Sequence, residues 1–208
     1  MRAEYIDRDV WRAIMPCMTR ANALAVAVSL ETGIRIGDVL RLQLSDISDS
    51  SISYTAAKTG KQGTADCPER LLTLLRQQAR GGACFPPRRG SKTPHRTRQA
   101  VWRNVRAAAE RSGIKPHISP HSARKTYAVE LYHSKGIAAV QRALQHDSVN
   151  TTNLYALADL QGAAYDRDRL VRDVADAVMR RLAEQLGVDL APPTPPDLSV
   201  YDGEDDLT

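Results

Sequence analysis

His-Asp-Ser-Val-Asn-Thr-Thr-Asn-Leu-Tyr, residues 146–155, places a phenol nine positions after an imidazole in the C-terminal third of the chain. A tyrosine hydroxyl is a potential nucleophile, but its ordinary pKa of about 10 requires a proton acceptor or a strongly positive environment before it attacks at neutral pH. Taken alone, Tyr155 is more often a packing residue and His146 a loop or capping residue. The stretch therefore gains meaning only from motifs elsewhere in the chain.

The nearest of these motifs is His121-Ser-Ala-Arg124, directly after Ser119-Pro120. A serine N-cap followed by proline at the first helical position predicts that a helix begins here. In that helix Arg124 shares a face with apolar residues, where a guanidinium is destabilising unless an anion meets it.

A second motif lies farther upstream, Thr32-Gly-Ile-Arg35-Ile-Gly-Asp38. Its spacing predicts a helix that opens with Arg35 beside a core-facing stripe of Val39 and Leu42. The simpler interpretation of Arg35 and Asp38 is an ion pair on the helix surface.

The remaining pattern predicts a mainly α-helical chain with a small antiparallel β-sheet, an α+β fold. The Ser/Thr/Gly-rich segment 46–66 predicts the sheet, with Lys58-Thr-Gly-Lys61 as a turn. Apolar spacing and capping residues predict helices over 6–19 after the capping candidate Asp7, 21–31 ending at Gly33, 35–42, 68–79, 97–111, 119–134, 137–144 and 167–186.

Composition favours a soluble protein of the reducing cytoplasm. The 208 residues suit one domain, and no apolar run approaches the roughly 20 residues that span a membrane. The three cysteines are odd in number and share no metal-ligand spacing, which argues against disulfides and zinc. We therefore expect no metal.

The net charge of +5 is unevenly distributed. Residues 187–208 carry six acidic side chains and no Lys or Arg, so residues 1–186 carry +11. A basic body suits a polyanion such as nucleic acid, although a solvated basic surface explains the charge equally well. Few aromatic residues favour duplex over single-stranded binding. The acidic, proline-rich segment 187–208 is expected to be a disordered tail.

A Gly/Pro-rich loop over residues 80–98 is the candidate contact with the DNA backbone. A flexible solvated loop would have nearly the same composition. Together with Lys61 of the hairpin turn, the candidate contact residues are Arg80, Arg88, Arg89, Lys92, Arg96 and Arg98.

These motifs together make residues 1–160 resemble the tyrosine recombinase (phage integrase) family. Order and spacing agree as well as residue type: an Arg after Thr-Gly, a hairpin Lys about two dozen residues later, His-x-x-Arg, then Leu-x-His and a Tyr nine residues on. The resemblance implies a catalytic domain over 1–186, mainly α with a three-stranded antiparallel sheet at one edge. It also implies that no cofactor is needed.

The resemblance implies that Tyr155 attacks a DNA phosphate to give a 3′-phosphotyrosine, which a second 5′-hydroxyl then displaces. Arg35 and Arg124 would clamp the non-bridging oxygens of that phosphate. His121 would act as base or relay, and His146 would donate a further hydrogen bond.

A lysine of the hairpin turn would protonate the leaving 5′ oxygen. Lys58 is the candidate by resemblance, and Lys61, three residues later in the same turn, stays an alternative.

Three departures from the family pattern bear on rate and geometry. Gln145 stands where the family commonly has glycine before the histidine, and could alter the turn that presents His146. The motif His121-Ser-Ala-Arg124 lacks the acidic residue that often follows the histidine. Asp38 stands where a longer glutamate is usual, at a helix-orienting position.

Family members usually carry an N-terminal helical DNA-binding domain, and we expect it to be absent here because the region that resembles the catalytic domain begins almost at Met1. Either an excised catalytic domain or a naturally short member fits, and both should bind DNA weakly and with strong salt dependence.

The expected activity is site-specific strand transfer between two duplexes, for integration or excision of a mobile element or for multimer resolution. The expected partners are double-stranded DNA, a homotetramer and accessory DNA-bending proteins, with a cytoplasmic, nucleoid-associated location. Helix 167–186 could pack on its own domain or on a neighbouring protomer. The alternatives are a catalytically idle DNA-binding accessory protein and a type IB topoisomerase-like relaxing enzyme.

Overall fold

The computed structural model describes residues 5–114 and 118–145. The predicted helix 167–186 and tail 187–208 lie outside these residues, as do His146 and Tyr155. Within the described ranges the chain is mostly helical with a small antiparallel sheet, which confirms the predicted fold class. Its elements are α1 Arg8–Ile14, α2 Arg20–Thr32, α3 Ile36–Val39, β1 Ser51–Thr55, β2 Gln62–Asp66, α4 Glu69–Gln78, α5 Arg98–Arg111 and α6 Pro120–Leu144.

Local sequence signals set several helix ends. The Asp7 carboxylate caps α1 by accepting the Asp9 amide at 2.8 Å, as predicted. This helix is shorter than predicted because proline at position 16 disrupts the α-helical hydrogen bonds, and Met15–Cys17 continue as a 3-10 turn. Helix α2 ends at Gly33, whose φ of 69° is the left-handed conformation that glycine adopts without a Cβ clash.

The predicted helix 35–42 is wrong in extent, since α3 contains only the single turn Ile36–Val39. Gly37 lies within this turn and disfavours helix propagation. Arg35 is therefore the residue before the helix, in extended backbone with ψ 137°, rather than part of a helical stripe. Val39 and Leu42 are buried as expected.

The sheet consists of β1 and β2, paired antiparallel from Ser51 with Asp66 to Thr55 with Gln62. The expectation of three strands is wrong within the described residues. Ile47 makes only an isolated bridge to Ile52. The 3-10 turn Leu44–Asp46 interrupts the extended run that a third strand would need.

Helix α6 begins as predicted, with Pro120 at its first position and the Ser119 amide donating to Ser122 Oγ at 3.3 Å. Its backbone breaks at Gly136, with φ 74° and ψ 177°, at the gap between the predicted helices 119–134 and 137–144. Beyond the break, Val140 and Leu144 form a small core cluster with Ala128. This cluster holds the end of α6 against its own first half.

Side chains from the N-terminal helices fix α6 in place. Trp11 is fully buried and its indole donates to Thr126 Oγ1 at 3.1 Å. Arg8 pairs with Glu31 of α2 at 2.7 Å and with Glu130 of α6 at 2.6 Å. Pairs of this partly exposed kind contribute about 1 kcal/mol or less each, so the buried contacts dominate. None of the helices in the described ranges is long and apolar enough to cross a membrane.

Candidate active site

Arg124 is almost fully buried, with 2% of its surface exposed. Its guanidinium donates to the carbonyl of Gly33, at the end of α2, and to that of Leu144, at the end of α6, the latter at 2.9 Å. The last carbonyls of a helix have no partner within it and carry partial negative charge. Two helix ends therefore meet the buried guanidinium, and Arg124 fixes the point from which the chain continues to His146.

His121 lies one turn before Arg124 in the first turn of α6. Part of its surface is exposed, yet loss of ring hydration is the main cause that lowers its pKa. The positive charges of Arg124, Lys125 and Arg35 lower the pKa further. An imidazole that is neutral at neutral pH can accept a proton. Arg35 and Arg124 therefore lie close enough to His121 for their charges to influence its ring.

Removing one of these charges should return the pKa of His121 towards its ordinary value. We expect Lys125→Gln to raise the pKa relative to wild type, because a positive neighbour disfavours the imidazolium. Titration of the His121 ring protons by NMR would measure both midpoints. Lys135→Gln, on the same helix, is the matched control and should leave the midpoint unchanged. An equal midpoint in the Lys125→Gln variant would contradict the electrostatic link.

Arg35 is half-buried and lies on the loop between α2 and α3. This loop is pressed against α6, since a Cβ on Gly33 would lie 2.4 Å from Tyr127 Cδ1. On its inner side the loop is held by Ser29, whose hydroxyl donates to the Ile34 carbonyl at 2.7 Å. A side chain at position 33 would therefore displace the loop and Arg35 with it.

Asp38 is buried and does not serve as a surface partner of Arg35. Its carboxylate instead pairs with Arg41 and accepts the Ala57 amide at 3.2 Å. Ala57 directly precedes Lys58, so Asp38 ties the hairpin turn to the element that follows Arg35. The second oxygen, Oδ2, is buried without a partner in the described part of the chain.

Both candidate lysines are exposed in the turn that joins β1 to β2. The turn is closed by the Ala56 amide, which donates to the Lys61 carbonyl at 2.8 Å. Lys58 lies next to the anchored Ala57, whereas Lys61 lines an open groove of about 540 Å³ with Gln62, Gln141, Arg142 and Gln145. The geometry therefore places the two lysines at different ends of one short turn.

Two tyrosines border the site that sequence reasoning did not assign to it, Tyr54 on β1 and Tyr127 on α6. Burial raises the pKa of both phenols. The positive charges of Arg124 and Arg35 lower the pKa of Tyr54, and the negative charge of Asp38 raises it. No sequence signal separates such residues from ordinary core aromatics. Both phenols are held neutral at physiological pH.

Gln145 ends α6 with φ 53° and ψ 42°, the left-handed conformation. Its side-chain amide donates to the Gln62 carbonyl of β2 at 3.0 Å. Glutamine at this position thus adopts a left-handed conformation and makes a contact with the hairpin. The family resemblance marks residue 145 as a departure. The contact itself joins residues 83 positions apart, so no local sequence signal predicts it.

The loop 80–98 presents most of its predicted contact residues to solvent. Arg96 differs, because its guanidinium donates to Asn22 Oδ1 at 3.2 Å and its amide to the Phe85 carbonyl at 2.9 Å. Burial lowers the pKa of Arg96, and the charge of Arg88 lowers it further. Arg96 is thus an anchor of the loop. The exposed members are Arg80, Arg88, Arg89, Lys92 and Arg98, and Lys61 of the hairpin is exposed as well.

Residues 4–161 of this chain match the model of the phage integrase family. The chain belongs to the phage integrase family. The match includes every motif residue from Arg35 to Tyr155, although His146 and Tyr155 lie outside the described residues.

One curated relative is tyrosine recombinase XerD of Mycobacterium tuberculosis, 30% identical over 154 residues, which cover 67% of this chain and 49% of the relative. The chain thus spans about half the length of the curated relatives it matches.

Among solved structures, a lambda integrase tetramer bound to a Holliday junction matches with a TM-score of 0.64 at 19% identity, over 74% of this chain and 48% of that one. The catalytic domain of bacteriophage HP1 integrase matches with a TM-score of 0.59 at 20% identity, over 80% of this chain and 96% of that one. These likenesses show the catalytic-domain fold.

Proposed function

We propose that this chain is a site-specific DNA recombinase that cuts and rejoins double-stranded DNA through a covalent 3′-phosphotyrosine at Tyr155. The observation that carries the proposal is that Arg124 lies one turn after His121 and donates to the Gly33 carbonyl, two residues before Arg35, in a family member whose match extends through Tyr155. Binding DNA alone would not require a neutral imidazole beside two guanidiniums. A phosphoryl transfer uses both, since it needs a proton acceptor and fixed positive charge.

In the cleavage step the Tyr155 oxygen bonds to phosphorus and the bond from phosphorus to the 5′ oxygen breaks. The phenolic proton passes to His121, and the leaving 5′ oxygen takes a proton from Lys58. The half-buried Arg35 and the buried Arg124 bind the non-bridging oxygens and offset their negative charge. His146 donates to the same phosphate.

Rejoining reverses these transfers with a 5′-hydroxyl from a second strand. The phosphotyrosine keeps the energy of the phosphodiester, so no metal, ATP or other cofactor takes part.

The substrate in this proposal is duplex DNA, bound by a homotetramer that holds two sites together. A basic surface over the hairpin turn and loop 80–98 supports backbone contact. The biological outcome would be integration or excision of a mobile element, or resolution of multimers, with accessory DNA-bending proteins at the site. In this scheme residues 1–186 form the catalytic domain, 187–208 form an acidic tail, and helix 167–186 packs within the assembly.

Covalent capture tests the proposal with DNA of random sequence, so the target site need not be identified first. Wild-type protein would be incubated with duplexes that carry a random core and a nick beside it, so that cleavage releases a short strand and traps the adduct. We expect a protease-sensitive, slowly migrating DNA band on a denaturing gel. Mass spectrometry of the digested adduct should locate the nucleotide on the peptide that contains Tyr155.

The alternatives give different results in covalent capture, on a native gel and with supercoiled plasmids. An idle DNA-binding relative would retain the duplexes on a native gel and form no adduct, which would overturn the proposal. A relaxing enzyme of the topoisomerase type would remove supercoils from plasmids of any sequence. A recombinase should instead enrich one sequence from the random pool.

A further inference from the structure

We propose that Gln145 is a positioning residue, which holds the hairpin turn and with it Lys58 at the end of α6. The inference rests on the proposed function, because Lys58 matters only if a leaving oxygen must be protonated. It goes beyond that function in giving a role to a side chain that the proposed mechanism does not use.

The contact between Gln145 and the hairpin is built closely. The Gln145 amide nitrogen donates to the Gln62 carbonyl at 3.0 Å, and Gln62 pairs with Thr55 as the first residue of β2. The next residue is Gly63, where a Cβ would lie 2.1 Å from that same nitrogen. The glutamine amide therefore occupies space that any side chain at position 63 would take.

The backbone at Gln145 is held in an unfavourable conformation. Among the non-glycine residues in the described part of the chain, Gln145 alone has a positive φ. A Cβ destabilises this conformation relative to glycine. The side-chain oxygen is buried and has no partner within the same residues. Within the described residues, the hydrogen bond to β2 is therefore the contact through which this side chain would contribute.

Two anchors therefore flank the turn that carries Lys58. On one side the Ala57 amide donates to Asp38, three residues after Arg35. On the other side the Gln62 carbonyl accepts from Gln145, next to the Leu144 carbonyl that Arg124 binds. The turn is thus located by the same two elements that locate the arginines. Loss of the Gln145 anchor would free the turn to move relative to the phosphate site.

The test compares two leaving groups with matched variants. Nicked duplexes captured by the wild type would be made with either the natural 5′ oxygen or a bridging 5′ sulfur at the scissile phosphate. A sulfur leaving group needs no acid, because an alkyl thiol has a pKa of about 8.5. Single-turnover cleavage rates would be measured for wild type, Gln145→Gly, Gln145→Ala, Lys58→Ala and the control Gln141→Ala, which removes an amide from the same groove.

We expect Gln145→Gly and Gln145→Ala to cleave the oxygen substrate about threefold to tenfold more slowly, the range that one lost hydrogen bond produces. With the sulfur substrate both variants, and Lys58→Ala, should match the wild type. Gln141→Ala should be unaffected on either substrate. Glycine adopts the left-handed backbone conformation without strain. A slower rate in Gln145→Gly would therefore result from loss of the side-chain contact and not from backbone strain.

Other outcomes overturn the inference. Wild-type rates for Gln145→Gly on the oxygen substrate would show that the contact is dispensable. Equal slowing on both substrates would show that Gln145 acts on folding or on the attacking side.

Hydrogen exchange separates this inference from the proposed function. Residues 56–66 should exchange faster in Gln145→Gly than in Gln141→Ala, and equal exchange would refute the anchor itself. A wild-type protein that cleaves neither substrate would refute the proposed function, and the lysine role with it, whatever the exchange result.

Discussion

Replacing Tyr155 by phenylalanine should abolish the covalent DNA adduct while duplex affinity stays at the wild-type level. Phenylalanine keeps the ring and removes only the oxygen that would bond to phosphorus. Loss of a covalent nucleophile lowers the rate by about 10⁴-fold or more, because the remaining groups cannot supply the missing bond. The denaturing gel used for capture would give the rate, and a native gel with an intact duplex would give the affinity.

The structure supplies matched controls for this substitution. In the described part of the chain, Tyr54 and Tyr127 are phenols whose pKa the charge of Arg124 influences, and burial raises the pKa of both. A neutral, half-buried phenol is a poor nucleophile, so Tyr54→Phe and Tyr127→Phe should still form the adduct. If Tyr155→Phe kept the adduct and either control lost it, the nucleophile would be assigned to the wrong tyrosine.

Features that depend on neighbouring residues in the chain could be predicted from sequence. Asp7, Gly33 and the Ser119-Pro120 pair mark helix ends through hydrogen bonds and backbone preferences that act within a few residues. The break at Gly136 follows from the same kind of local preference. These signals do not depend on tertiary packing, and the structure confirms them.

Features that depend on distant contacts could not be predicted. The partners of Arg124 lie 91 and 20 residues away, and they are backbone carbonyls, which no residue type reveals. The pattern showed that a buried arginine needs an acceptor, but it did not show that two carbonyls of the chain are among its acceptors. The burial of Asp38 has the same origin, since its carboxylate accepts the Ala57 amide of the hairpin, 19 residues away.

Arg124→Ala should destabilise the folded chain as well as stop cleavage. Its removal leaves the carbonyls of Gly33 and Leu144 without their donor inside the protein, and each unsatisfied buried group costs about 1–3 kcal/mol. We therefore expect the free energy of unfolding to fall by about 2–5 kcal/mol. Denaturant titration followed by circular dichroism would measure this change, with Arg142→Ala, an exposed arginine of the same helix, as the control.

Arg124→Lys separates the two roles of this side chain. A lysine keeps the positive charge but lacks the planar fork that reaches two carbonyls at once, so stability should fall less than in Arg124→Ala. Cleavage should still be severely reduced, because a single ammonium cannot hold both helix ends and a phosphate oxygen. Wild-type unfolding in Arg124→Ala would contradict the structural role. Wild-type cleavage in Arg124→Lys would contradict the need for a guanidinium at the phosphate.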